Sequence, residues 1–144
     1  MTMDRKYRLP VLGVGLTISL ILMGCNSSDD ALEKSRYQPL NIAEIKGKGI
    51  GDDPKAIALD LFGNKKTVES DFTEEIKVIE QQAFEKIVIL TQMNLPDDKI
   101  RGKRYRLEFK FDQSTGKWNL KEAGRQQSCY RSDKPTDWTI EPCP

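Results

Sequence analysis

The chain has 144 residues, with 23 Lys and Arg against 22 Asp and Glu, so its formal net charge is +1 at pH 7. It contains no histidine, which excludes histidine-based catalytic triads, histidine-ligated zinc and histidine pH switches. A nearly neutral chain of this length predicts a single domain with a single core, and it argues against nucleic acid as a partner.

The N-terminal segment has the organisation of a bacterial signal peptide. Arg5, Lys6 and Arg8 make its start positive, and residues 11–23 follow as 13 uncharged residues. This stretch is shorter than the roughly 18 residues that a membrane-spanning helix needs. The pattern therefore favours a cleaved signal peptide over a permanent anchor.

The segment ends in Leu22-Met23-Gly24-Cys25, which resembles the lipobox of bacterial lipoproteins. The resemblance implies that residues 1–24 are removed and that the Cys25 thiol carries the lipid that holds the protein on a membrane. We therefore expect the protein in the cell envelope, facing away from the cytoplasm, on the periplasmic or outer-membrane side in a diderm host. The alternative is an uncleaved anchor with a buried structural cysteine.

The mature chain divides by composition into a tether and a domain. Polar residues follow Cys25, and a glycine-rich stretch covers residues 47–51, so we predict that residues 25–50 are a flexible tether. Within it, Leu40, Ile42 and Ile45 predict a short helical turn or strand. Residues 51–144 are predicted to form a single α+β domain.

One helix is predicted at the start of this domain. Asp53 suits the N-cap, Pro54 suits the first helical position, and Gly63 suits the position after the end of the helix. Helical spacing then gives the helix an apolar face that should pack on a sheet, made of Ile57, Ala58, Leu61 and Phe62.

Four antiparallel strands are predicted after the helix. The first contains Ile76 and Val78, the second covers residues 84–93, the third begins near Lys103, and the fourth contains Trp118 and Leu120. Turns are predicted at residues 94–98 and 112–116. In the third strand, apolar residues alternate with charged ones, so one face should be core and the other solvated. The apolar set is Tyr105, Leu107, Phe109 and Phe111, and the charged set is Arg104, Arg106, Glu108 and Lys110.

Cys129 and Cys143 are the two cysteines that remain if Cys25 is lipidated. An even pair in an exported chain predicts a disulfide, here one that closes a C-terminal tail. Two free thiols or a thiolate site are the alternatives, although no histidine is present to activate a nucleophile.

A helix packed across four antiparallel strands resembles the cystatin-like or nuclear-transport-factor-like roll. More specifically, residues 53–143 resemble an uncharacterised family of secreted bacterial lipoproteins of cyanobacterial type. The residues that carry this resemblance include Trp118, Gly124-Arg125-Gln126, Cys129, Trp138 and Cys143. The resemblance implies fold, export and a disulfide, and it assigns no activity.

Two groups of charged residues are candidate sites. Arg104, Arg106 and Lys110 make the third strand basic, so its solvated face is a candidate binding face for an anionic or protein partner in the envelope. A charged but merely solvated strand face is the alternative. The pairs Asp52-Asp53 and Asp97-Asp98 are interpreted as a helix cap and a turn, and we predict neither a metal site nor a cofactor.

Two function classes stay open. The preferred one is a non-catalytic binding or accessory module of the envelope, with no catalytic residue assigned. The alternative is a small hydrolase or isomerase that uses carboxylates and tyrosines in a cavity of the roll, lined by aromatic residues such as Tyr105, Phe109 and Trp118. A carboxyl group held in an apolar cavity, with a raised pKa, would favour catalysis.

Overall fold

The computed structural model describes residues 31–45, 47–66, 71–134 and 137–144. The predicted signal peptide, Cys25 and the first residues of the predicted tether lie outside these ranges. Within them, the chain has no helix that is both long and apolar enough to cross a membrane.

The fold is α+β, with one α-helix packed on an antiparallel sheet. Four long strands form a meander, namely β3 (Thr73–Gln82), β4 (Glu85–Met93), β5 (Ile100–Asp112) and β6 (Lys117–Cys129). Two strands of two residues each, β1 (Gln38–Pro39) and β2 (Ile50–Gly51), pair with β6. The strand order is β1-β6-β5-β4-β3, with β2 also placed against β6.

The prediction of four strands was wrong in number, because the sheet has six. β1 lies within the segment predicted as a tether, residues 25–50, and β2 begins at its last residue, so this segment packs in part on the sheet. Strands of two residues are too short to show an alternating pattern, so they have no signature in the sequence. Their pairing partners, Gly124, Arg125, Trp118 and Asn119, lie some 70 to 90 residues further along the chain.

The predicted helix is confirmed as α1 (Pro54–Phe62). The Asp53 carboxylate accepts a hydrogen bond of 3.0 Å from the backbone N–H of Lys55, and Pro54 begins the helix without needing a donor. Gly63 ends the helix and donates its N–H to the carbonyl of Leu59. Its φ of −63° lies outside the left-handed region, so the helix ends without the left-handed glycine that often follows a helix.

The core lies between α1 and the inner face of the sheet, which we define as the face that α1 covers. Ala58, Val88 and Leu107 are fully buried there, and Phe109 is 1% exposed. The ring of Phe62 stacks on that of Tyr105 with centroids 4.6 Å apart. The apolar alternation of the third predicted strand therefore faces the core, as predicted.

The opposite, outer face of the sheet is not the solvated surface that the sequence predicted. Residues 31–37, here called the strap, lie across it, and Tyr37 is only 5% exposed. Arg106 is 7% exposed and donates from Nε to the carbonyl of Leu32 at 2.8 Å. The expectation of an exposed Arg106 was wrong. A charged side chain on a strand indicates a solvent-exposed face only where no other segment covers that face.

The C-terminal tail, described at residues 130–134 and 137–144, is held to the sheet by covalent and non-covalent contacts. Cys129 and Cys143 form the predicted disulfide, with Cα atoms 5.4 Å apart. Gln127 and Thr139 exchange two backbone hydrogen bonds of 2.8 Å. The tail therefore pairs with the outer edge of β6, which is the edge that does not pair with β5. Trp138 then lies over the guanidinium of Arg104, 4.0 Å from the ring centroid, on the outer face.

Candidate functional site

The candidate site is built along the outer edge of β6. Three separate segments hydrogen-bond to this edge: the tail at Gln127, β1 at Gly124 and Arg125, and β2 at Trp118 and Asn119. Leu40 donates its N–H to the carbonyl of Ala123 at 2.9 Å, directly after β1. The chain around residues 34–42 is thereby held beside the middle of β6.

Gly124 allows the strap to approach this closely. A Cβ atom built on Gly124 would lie 2.7 Å from the Cβ of Tyr37. Because that separation is far shorter than an ordinary van der Waals contact, any side chain here would push Tyr37 away. Glycine at this position is therefore a packing requirement of the strap.

Residues 34–42, the middle of β6 and Ile140 of the tail line a half-open cavity of about 640 Å³, here called the β6 cavity. This volume lies within the roughly 300–1,000 Å³ that is typical of small-molecule sites. Its surface is mainly apolar, formed by Tyr37, Pro39, Leu40, Ile42, Ala123 and Ile140. The arrangement suits a ligand with a substantial apolar part.

Four charged side chains also line this cavity and are here called its rim, namely Lys34, Arg106, Lys121 and Glu122. Lys34 and Glu122 form an ion pair between the strap and β6, and Arg106 donates from Nη1 to Glu108 at 2.5 Å. Lys121 also lines the cavity and is exposed. Two of the three cations, Lys34 and Arg106, are thus already paired with carboxylates. The third cation, Lys121, lies at the boundary with solvent.

A β-bulge places Lys121 there. Glu108 pairs with Glu122 and the next residue, Phe109, pairs with Leu120, so Lys121 is the extra residue in β6. A bulge turns the extra side chain away from the regular alternation of its strand. Lys121 consequently lines both the β6 cavity and a smaller neighbouring pocket near Lys110 and Glu108.

The pKa values of the ionisable groups in and near the cavity follow from their ion-pair partners and from burial. The hydrogen bond and charge of Lys34 lower the pKa of Glu122, so this carboxyl group is ionised at neutral pH. Burial raises the pKa of Tyr37 despite the nearby Arg104 and Arg106. Burial also lowers the pKa of Arg104. The site therefore holds a fixed carboxylate and a neutral phenol.

The predicted binding face is divided in the structure. Arg104, Arg106 and Lys110 do share the outer face of β5, as their alternation indicated. Arg104 is half-buried beneath Trp138, Arg106 lies beneath the strap, and Lys110 is exposed and paired with Glu85 at 2.7 Å. Of the three, only Arg106 lines the β6 cavity.

The other candidate residues have structural roles. Asp97 accepts hydrogen bonds from the backbone N–H groups of Lys99 and Ile100, at 2.8 and 2.7 Å, so it shapes the turn before β5. Asp52 pairs with Lys117 at 2.6 Å beside the helix start. Across the ranges that the structure describes, no group of three or more His, Cys, Asp or Glu is arranged to hold a metal ion.

The aromatic residues considered for a pocket pack in or beside the core, away from the β6 cavity. Tyr105 and Phe109 belong to the core beneath α1, and Trp118 contacts Phe111 with ring centroids 5.3 Å apart. None of these lines the β6 cavity. The residues that line it were missed because most of them lie in the predicted tether, where Leu40, Ile42 and Ile45 were the one apolar signal.

Comparisons with known proteins add no relative. No family model matches the sequence, and neither the curated proteins nor the solved structures contain a match.

Proposed function

We propose that this chain is a lipoprotein of the bacterial envelope, anchored through Cys25, whose domain binds a small ligand in the β6 cavity without chemical turnover. The observation that carries the proposal is the β6 cavity itself, which is apolar inside and bordered by charged side chains. A concave, mainly apolar surface with a few polar groups is the usual form of a small-molecule site.

The one carboxyl group in the described lining of the β6 cavity favours binding over general acid catalysis there. General acid catalysis by a carboxyl group at neutral pH requires a raised pKa. In the β6 cavity, the hydrogen bond and charge of Lys34 lower the pKa of Glu122, so this carboxyl group is not suited to that role. Glu122 is the one carboxyl group among the described residues that line the cavity, and it is engaged by Lys34.

The proposal includes a roll of the cystatin-like type for the domain. A single helix that precedes the long strands and packs across their inner face supports this interpretation. The two short strands along β6 are additions to that scheme.

The anchor is tested by intact mass measurement of the protein extracted from membranes. We expect loss of residues 1–24 and the added mass of acyl chains on Cys25. The Cys25→Ser variant should be neither processed nor acylated. If this variant is cleaved and membrane-bound like the parent, the lipoprotein part of the proposal is wrong.

Ligand binding is tested with an apolar aryl diazirine that labels apolar sites on irradiation. The full-length protein in phosphatidylcholine nanodiscs should be labelled on peptides that cover residues 34–42 and 121–124. Ile42→Trp fills the cavity and should remove most of this label. Ala43→Trp, in the same turn but outside the lining, should not. Equal labelling of the two variants would contradict a binding site here.

A further inference from the structure

The chemistry of the β6 cavity defines a class of ligand, a conclusion that rests on the function proposed for this cavity. We propose that the cavity takes a single-chain amphiphile with an anionic head group, with its chain against the apolar lining and its head group at Lys121. Two features carry this inference: the polarity of the lining, and the charge that remains at the rim once its ion pairs are counted.

The lining accounts for the chain. Leu40 and Ile42 lie directly after β1, Ile140 belongs to the tail, and the three side chains meet at one surface. Ile140 is 46% exposed and Ile42 half-buried, so both present apolar area that a ligand would cover. Removing such area from water is favourable in proportion to the area covered. A flexible hydrocarbon chain can follow this surface from β6 to the tail.

The rim accounts for the head group. Five charged groups lie at or directly behind it: Lys34 with Glu122, Arg106 with Glu108, and Lys121. The two pairs cancel, so the rim has a net charge of +1, which is the charge of Lys121. A cationic head group would meet this surplus unfavourably, whereas an anionic one neutralises it.

The bulge gives Lys121 its place in this scheme. In a regular strand, consecutive side chains point to opposite faces of the sheet. Without the bulge, Lys121 would therefore point to the face opposite to that of Glu122. The extra residue breaks this order and sets Lys121 between the cavity mouth and the solvent. A lysine there reaches a phosphate or carboxylate as a flexible point charge, without a fixed bidentate geometry.

The test compares two diazirine probes with the same sixteen-carbon chain, hexadecyl phosphate and hexadecyltrimethylammonium. Full-length protein in phosphatidylcholine nanodiscs is irradiated with each probe, and the labelled peptides are mapped. We expect the phosphate to label residues 34–42 and 121–124 more strongly than the ammonium does. Lys121→Glu should weaken phosphate labelling by about two- to fivefold, the range of one exposed ion pair.

Lys55→Glu is the matched control, since it reverses an exposed lysine on α1, away from the cavity. It should leave the ratio of phosphate to ammonium labelling unchanged. Equal labelling by the two probes, or an unchanged ratio in Lys121→Glu, would overturn the anionic preference. In that case labelling of the same peptides by the apolar aryl diazirine would still support the cavity as a site. Absence of label from these peptides with all three probes would reject both the inference and the proposed function.

Discussion

Arg106 shows how a single charged residue is accommodated beneath the strap. Its side chain is nearly inaccessible to water, and both hydrogen bonds that it makes, to Leu32 and Glu108, are formed with oxygen acceptors. Charge-assisted bonds of this type offset the cost of removing a guanidinium from water. The residue therefore links the strap to β5, in addition to lining the β6 cavity.

The Arg106→Ala variant should be destabilised. Its loss leaves the carbonyl of Leu32 and the carboxylate of Glu108 without their partner, which costs about 1.5–3 kcal/mol in the free energy of unfolding. Lys110→Ala, which removes an exposed partner of Glu85, should cost less than about 1 kcal/mol. Urea unfolding of both variants measures the difference, and equal, small effects would show that Arg106 is not held as described.

Asp97 predicts a pH dependence in the turn before β5. Backbone N–H groups of Ile100 and Lys99 hold the pKa of this carboxyl group below its ordinary value of 3.8. Its stabilisation of the folded state is therefore complete above pH 3.8 and is lost as the pH falls through the lower, folded-state pKa.

This shift is measured by NMR titration of the Asp97 side-chain carboxyl carbon. The midpoint should lie below 3.8, and Asp97→Asn should remove the corresponding part of the acid dependence of unfolding. A midpoint at or above 3.8 would contradict the hydrogen bonds assigned to the turn.

At the scale of elements, the tail is the segment that depends most on a covalent link. Among its described residues, the tail forms one β-bridge with β6, between Thr139 and Gln127, and the disulfide closes the chain over a separation of 14 residues. Trp138 adds a contact with Arg104, and Ile140 reaches the β6 cavity. The disulfide thus also positions part of the cavity wall.

The Cys129→Ala/Cys143→Ala double variant should lose about 3 kcal/mol in the free energy of unfolding, according to the chain-entropy model for a loop of this length. Hydrogen exchange should accelerate first at the amides of Gln127 and Thr139. The amides between β3, β4 and β5 should keep their protection under native conditions. Unchanged exchange at Gln127 and Thr139 would show that the tail is held without the disulfide.

At the scale of the whole molecule, short segments that precede and follow the meander in sequence cover the edge of β6 that the meander leaves unpaired. The meander alone would leave β6 as an edge strand of 13 residues. Gly49, β1 and Thr139 instead hydrogen-bond along that edge. Covering an edge limits pairing with other chains, and here the same segments build the candidate site.

Tyr37→Ala tests whether the strap is part of the folded unit. Tyr37 is 5% exposed and donates its hydroxyl to the carbonyl of Ala31 at 2.8 Å, so its loss should cost about 3 kcal/mol or more. Hydrogen exchange in residues 31–39 should rise. Tyr130→Ala is the control, because Tyr130 is 43% exposed, and it should cost about 1 kcal/mol at most. A strap that stays protected in Tyr37→Ala would contradict its dependence on this side chain.

Local pattern was sufficient for the elements that carry strong periodicity or specific caps. Asp53 and Pro54 marked the helix start, the alternation around Leu107 marked the core face of β5, and Cys129 with Cys143 indicated the disulfide. Each of these signals comes from residues that are close in sequence or from a residue type with one usual role. The anchor at Cys25 rests on the same kind of local signal and stays a prediction.

The tertiary structure alone decided what covers the outer face and where a ligand would fit. Arg106 has the same local pattern whether its strand face meets water or the strap, because alternation separates two faces without stating what lies on either. The pairing of Pro39 with Gly124 spans 85 residues, and neither residue has a strand signal of its own. The β6 cavity depends on such long-range contacts. They are stabilised only when segments that lie far apart in the sequence pack against each other, so no local pattern indicates them.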